Sequence, residues 1–111
     1  MRCELYVRYV LPGLRALVAN YLIKKYKLTQ MKVAEKLGMT QAAINYYIKA
    51  KRGKKVLSIL KSSSRVMMYV KKLGDIAMEH GYSQELEEAF CEACKAIRSD
   101  KRLIKKILSK I

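Results

Sequence analysis

Apolar residues recur every three or four positions along most of the chain, which is the spacing of helices with one buried face. Pro12 suits the first turn of a helix, and the apolar spacing that follows it predicts a first helix over about residues 12–26. Thr29 and Thr40 are typical helix-capping residues, and each precedes a short apolar stripe. They predict two short helices separated by Gly38, a residue type that commonly ends helices.

The second half of the chain contains three more apolar stripes. The first predicts a helix that ends at Gly81, the second predicts a helix capped by Ser83, and the third predicts a short final helix. Their apolar positions are Val66, Val70, Leu73, Ala77 and His80; Leu86, Phe90, Ala93 and Ile97; and Leu103, Ile104, Ile107, Leu108 and Ile111. His80, on the apolar side of its helix, is expected to be structural.

Two segments do not follow this helical pattern. Residues 49–55, KAKRGKK, predict a mobile basic linker. Residues 4–10, ELYVRYV, alternate as a strand does, and they fit an extension of the first helix equally well. We therefore predict an all-α fold, with a helix-turn-helix in the first half and amphipathic helices in the second.

Charge is distributed unevenly along the 111 residues. The chain has 24 lysines and arginines against nine acids, a net charge of +15. Residues 1–56 carry 13 of these cations and two of the acids, a net +11, and residues 57–111 carry 11 and seven, a net +4. We expect a DNA-binding region at 1–56 and a helical, dimerising region at 57–111. An excess this large favours a polyanionic partner, most simply nucleic acid.

Composition also excludes several classes of protein. One histidine and five isolated glycines leave neither a converging set of acid, base and nucleophile nor a glycine-rich phosphate loop, so an enzyme is not expected. Charged residues interrupt every apolar stretch before it reaches the length of a membrane span or the core of a signal peptide. We expect a soluble protein of the cytoplasm without a membrane partner.

Residues 29–49, TQMKVAEKLGMTQAAINYYIK, contain the motif that indicates function. Ala34 is small enough for two helices to cross closely, Gly38 suits the turn between them, and Ile44 can hold the second helix on the first. The segment resembles the helix-turn-helix of the phage-repressor-like family, whose Gln-x-x-x-Ala-x-x-x-Gly pattern begins here at Gln30. More narrowly, LPGLRALVANYL and LTQMKVAEKLGMTQAAINYYIKAKRGKK resemble small archaeal transcriptional regulators, whose domain also occurs fused to thiamine-phosphate synthase.

A helix-turn-helix at these positions predicts which side chains meet DNA. The recognition helix would expose Thr40, Gln41, Ala42, Asn45, Tyr46 and Lys49. Gln41 and Asn45 can pair with adenine, and Ala42 can contact a thymine methyl group. Phosphate neutralisation is expected from Lys32, Lys51, Arg52, Lys54 and Lys55. The resemblance to the repressors further implies that Gln30 binds a phosphate and braces Gln41.

The three cysteines leave two interpretations open. Cys91 and Cys94 are three positions apart on a predicted helix, so they can hold one metal ion or one edge of an iron–sulfur cluster, with Cys3 as a third ligand. The resembling regulators, which have a Cys-Glu near the start and a C-x-x-C near the end, imply zinc or such a cluster. Alternatively, Cys94 is a small residue at the edge of an apolar stripe.

Three functions therefore remain as expectations. The favoured one is a sequence-specific transcriptional regulator that binds double-stranded DNA as a homodimer. The alternatives are a less specific nucleic-acid-binding accessory protein and a regulator that responds to metal or redox state through Cys3, Cys91 and Cys94. Dimerisation is expected because the acidic segment 75–92 and the basic tail 95–111 are complementary in charge.

Overall fold

The computed structural model describes residues 6–49 and 54–110, and these residues form helices and no strands. A π-helical turn at Tyr6–Val10 continues directly into the first of seven α-helices. The α-helices are α1 (Leu11–Tyr26), α2 (Gln30–Leu37), α3 (Gln41–Lys49), α4 (Lys54–Ser62), α5 (Ser64–His80), α6 (Gln84–Ser99) and α7 (Lys101–Leu108). The predicted all-α class is confirmed, and the strand considered for residues 4–10 is wrong over the described part of that segment.

Helix α1 lies at the centre of the fold. It contacts α2, α3, α4 and α5, and Leu14, Val18 and Leu22 are completely buried along it. Its apolar residues cover several sides because neighbouring helices surround it, as expected for a core helix rather than a surface helix. The remaining helices each bury one apolar side against α1 or against one another, so a single hydrophobic core extends through both halves of the chain.

Local capping sets most of the helix starts. The hydroxyl oxygens of Thr29, Thr40 and Ser83 accept backbone N–H groups three residues ahead, at 3.2, 3.1 and 3.2 Å. These three caps were predicted from sequence and are confirmed. Ser63 and Asp100 cap α5 and α7 in the same way, at 3.3 and 3.1 Å. Each such bond satisfies one of the N–H groups that a helix leaves without a partner at its start.

Helix α4 is the element that the sequence pattern did not predict. Lys54 and Lys55, expected in a mobile linker, form its first turn, while residues 50–53 lie outside the described residues. Val56 and Leu60 of α4 are buried in the common core. The expected division between 1–56 and 57–111 therefore passes through the middle of a packed helix.

A polar cluster fastens α1 to α5. The hydroxyls of Tyr21 and Tyr26 both donate to Asp75 Oδ1 at 2.7 Å, and Lys25 Nζ lies 3.4 Å from the same oxygen. Burial raises the pKa of Asp75, but the hydrogen bonds from Tyr21, Tyr26 and Lys25 outweigh this effect, and the pKa lies below its usual value. Gly74 permits the contact, because a β-carbon there would collide with the Tyr21 ring.

Candidate nucleic-acid interface

Helices α2 and α3 are joined by a tight connection of three residues, 38–40. Gly38 is left-handed at φ 67° and ψ 36°. Its N–H donates to the carbonyl of Glu35 at 3.3 Å, and the N–H of Met39 donates to that of Ala34 at 2.8 Å. These two bonds form a Schellman motif, which satisfies carbonyls at the end of α2 before the chain turns into α3.

The inner side of the pair is apolar, as the sequence predicted. Ala34 and Leu37 are nearly inaccessible, and Val33 and Ile44 are completely buried. Because α3 packs on both α1 and α2, Ile44 holds it against the centre of the fold. The orientation of α3 is therefore fixed by core packing.

The outer side of α3 presents polar and small residues. Gln41, Ala42 and Lys49 are exposed, Asn45 is half-buried, and Tyr46 keeps 59% of its surface accessible. Positions 41, 45 and 49 are spaced by four residues, and so are 42 and 46, so they form two neighbouring rows on one side of the helix. The predicted reading side chains are thus brought together on one surface.

Three other predicted contact residues lie outside α3. Thr40 is exposed, and although its oxygen caps α3, a hydroxyl keeps a proton to donate. Gln30, the first residue of α2, is half-buried. Lys32 is exposed, and its Nζ lies 3.4 Å from Glu35 Oε2 in a pair that water largely screens.

The remaining predicted cations divide into two groups. Lys54 and Lys55 are exposed in the first turn of α4. Positive charges there oppose the helix dipole, and a nearby phosphate would offset this cost. Lys51 and Arg52 belong to residues 50–53, which lie outside the described part of the chain.

Two features of α2 could not be read from the sequence pattern. Lys36 Nζ donates to the backbone carbonyl of Met78 at 3.2 Å, which ties α2 to the last turns of α5. Met31, in the first turn of α2, keeps 65% of its surface accessible. Its exposure follows from how α2 packs, and the residue type alone gave no signal of it.

The cysteines of α6 do not assemble a metal centre from the described residues. Cys91 is exposed, and Cys94 is half-buried against the core, in agreement with the packing interpretation of Cys94. Within residues 6–49 and 54–110, no group of three or more His, Cys, Asp or Glu side chains is placed to hold a metal ion. Cys3, the expected third ligand, lies outside the described residues.

His80 does not lie on the apolar side of α5, contrary to expectation. Its side chain is 40% exposed, and its Nε2 is 3.2 Å from Glu85 Oε2 and 3.8 Å from Glu79 Oε1. In the structure, the apolar stripe predicted for this helix ends at Ala77, and His80 does not belong to it. His80 contacts the acidic start of α6 instead of the core.

Comparison with known proteins adds no further constraint. The chain matches no protein-family model, no curated protein and no solved structure. Along residues 6–49 and 54–110, no helix combines the length and the apolar composition that crossing a membrane would require.

Proposed function

We propose that this protein is a sequence-specific DNA-binding transcriptional regulator that reads double-stranded DNA with α3. The observation that carries the proposal is the division of α3 into two sides. Ile44 is completely buried on the inner side, whereas Gln41, Tyr46 and Lys49 are exposed on the outer side. A helix that packs on the core through one side and is exposed on the other can enter the major groove of DNA, which is wide enough to admit it.

The outer side chains of α3 suit contacts to bases and contacts to phosphates. The amides of Gln41 and Asn45 can each pair with N6 and N7 of adenine, and the methyl group of Ala42 can contact that of thymine. Lys49, at the end of α3, and Lys54, at the start of α4, can neutralise phosphates and set the register. The net charge of +11 on residues 1–56 supports the same polyanionic partner.

We include homodimerisation in the proposal. One recognition helix contacts only a few base pairs, and a two-fold pair reads two half-sites about 34 Å apart. Glu85, Glu87 and Glu88 are exposed at the start of α6, and Lys101 and Lys105 are exposed on α7. Such complementary surfaces favour pairing of the α7 of one copy with the α6 of another.

The proposal is tested by selecting preferred duplexes from a random pool and measuring affinities by fluorescence anisotropy. Gln41→Ala is expected to cost about 1–3 kcal/mol at the selected site and to relax preference at one base position. Lys49→Ala is expected to weaken all duplexes alike and to reduce the salt slope by about one unit. Lys71→Ala, which removes an exposed lysine from α5, is the matched control for Lys49→Ala and should change neither property.

Two results would contradict the proposal in different ways. Binding without any preferred sequence, weakened by Lys49→Ala but not by Gln41→Ala, would identify a less specific nucleic-acid-binding accessory protein. Absence of duplex binding at low salt would remove α3 as a recognition helix altogether.

A further inference from the structure

A cavity of about 540 Å³ separates the connection between α2 and α3 from helix α6. Leu37, Gly38 and Met39 form one wall, and Phe90 and Cys91 belong to the opposite wall. A volume of this size lies within the range of small-molecule sites, which is about 300–1,000 Å³. No residue of α3 lines the cavity, so it is distinct from the proposed reading surface.

The lining combines an apolar body with positive charge. Leu11, Leu86 and the ring of Tyr82 contribute apolar surface, and Arg15 of α1 and Lys95 of α6 contribute cations. Arg98 also lines the cavity. Among the described residues that line the cavity, Glu87 is the one acid, and it accepts a hydrogen bond from the Tyr82 hydroxyl. These described residues carry three cations against one carboxylate, so their formal charge is positive.

We propose that this cavity is an effector site that binds a small organic anion with an apolar body, such as an aromatic or aliphatic carboxylate, sulfonate or phosphate ester. The apolar walls remove the body of the ligand from water, and Arg15 and Lys95 stabilise its negative group. A neutral apolar molecule would offer no negative group to Arg15 and Lys95.

Occupancy of the cavity is expected to alter DNA affinity, a step that rests on the proposed function. Gly38 and Met39 belong both to the cavity wall and to the hydrogen-bonded turn that sets α3 relative to α2. A ligand that binds one arrangement of this turn better than another shifts the protein toward that arrangement. Linkage then requires that DNA change the affinity for the anion by the same factor.

The anion site is tested with 1-anilinonaphthalene-8-sulfonate, and with N-phenyl-1-naphthylamine as its uncharged counterpart. The sulfonate should bind at least about threefold more tightly than the neutral molecule. Arg15→Gln and Lys95→Gln should each weaken sulfonate binding by about threefold and leave the neutral molecule unaffected. Lys71→Gln on α5 is the matched control, because it removes the same charge from an exposed position outside the cavity.

A second readout uses the exposed thiol in the wall. Bound sulfonate should slow the alkylation of Cys91 by iodoacetamide, measured by mass spectrometry of its peptide, and in Lys95→Gln the same protection should require about threefold more sulfonate. Equal binding of the two molecules, or an equal loss with Lys71→Gln and Lys95→Gln, would overturn the anion site.

The effect of the bound anion on DNA affinity is tested separately from anion binding. Saturating sulfonate should change the affinity of the selected duplex, and the sulfonate concentration that gives half of this change should rise by about ninefold in Arg15→Gln combined with Lys95→Gln. An unchanged duplex affinity at saturation would overturn regulation through this cavity. Failure of DNA binding itself would be recognised separately, because the fluorescence and alkylation measurements need no DNA.

Discussion

The ring of Tyr82 covers Gly38 so closely that a β-carbon at position 38 would overlap it. This contact joins the turn between α2 and α3 to the start of α6, 44 positions later in the numbering. Tyr82 is held there by the hydrogen bond from its hydroxyl to Glu87, and that bond raises the pKa of Tyr82. The glycine is thus required both by its left-handed backbone and by the ring above it.

Gly38→Ala is expected to destabilise the protein through both requirements. A left-handed alanine costs about 1–2 kcal/mol, and displacement of the Tyr82 ring adds to that cost. In a Tyr82→Ala background, Gly38→Ala should lower the free energy of unfolding only by the cost of the left-handed backbone. The free energies of unfolding of the four proteins, measured in urea, give the coupling between the two positions. Additive effects would mean that the ring moves aside without cost.

Asp75→Asn is expected to change how stability depends on pH. The pKa of Asp75 is lower in the folded protein than in the unfolded chain, where it is about 3.9. The ionised carboxylate therefore adds to the free energy of unfolding above pH about 3.9, and this stabilisation is lost as the pH falls through the pKa of the folded protein. At neutral pH the loss should be about 0.5–1 kcal/mol, because 39% of the Asp75 side chain is exposed.

The measurement is the urea midpoint of the wild type and of Asp75→Asn at a series of pH values from neutral downward. The two curves should converge in acid. Glu92→Gln is the control, because Glu92 Oε2 lies 3.9 Å from Lys72 Nζ in a pair whose side chains are both more than half exposed. Parallel curves for Asp75→Asn and the wild type would contradict the role given to the α1–α5 cluster.

Substitution by alanine should have very different effects on the stability of the protein at two adjacent positions of α7. Ile107 is completely buried and Leu108 is 57% exposed. Ile107→Ala should cost about 2–4 kcal/mol, whereas Leu108→Ala should cost less than about 0.5 kcal/mol. Thermal or urea unfolding of both variants checks this expectation. Helix α7 contacts α4 and α6, and equal effects would contradict this packing.

Lys105→Glu is expected to weaken the proposed homodimer without unfolding the chain. Lys105 is exposed on α7, and the reversed charge would oppose the acidic α6 of the other copy. Lys71→Glu, with the same charge change on the exposed side of α5, is the control. Sedimentation equilibrium should show weaker association for Lys105→Glu, and the difference should shrink at high salt.

The intact protein sedimenting as a monomer at tens of micromolar, on and off DNA, would contradict dimerisation. Removing α7 entirely is a poor test of it. Leu103 and Ile107 belong to the core of their own chain, so the deletion would expose that core as well.

Local interactions explain how much of the fold could be predicted from the sequence. Thr29, Thr40 and Ser83 cap helices through bonds that reach only three residues, so their positions in the sequence were sufficient. The left-handed Gly38 is likewise a property of its own backbone. The candidate recognition surface followed from these boundaries, because a helix that starts at Gln41 necessarily places position 45 near 41 and 42.

Contacts between distant residues were decided by tertiary structure alone. Tyr21 and Asp75 are 54 positions apart, and no periodicity indicates that they hydrogen bond. Helix α4 has four apolar residues within residues 56–60, VLSIL, and the core buries only Val56 and Leu60 of them. Leu103 and Leu108 are the same residue type on one short helix, but a neighbouring helix buries only the first. Local sequence determines where helices start and turn, whereas burial depends on which surfaces the folded chain brings together.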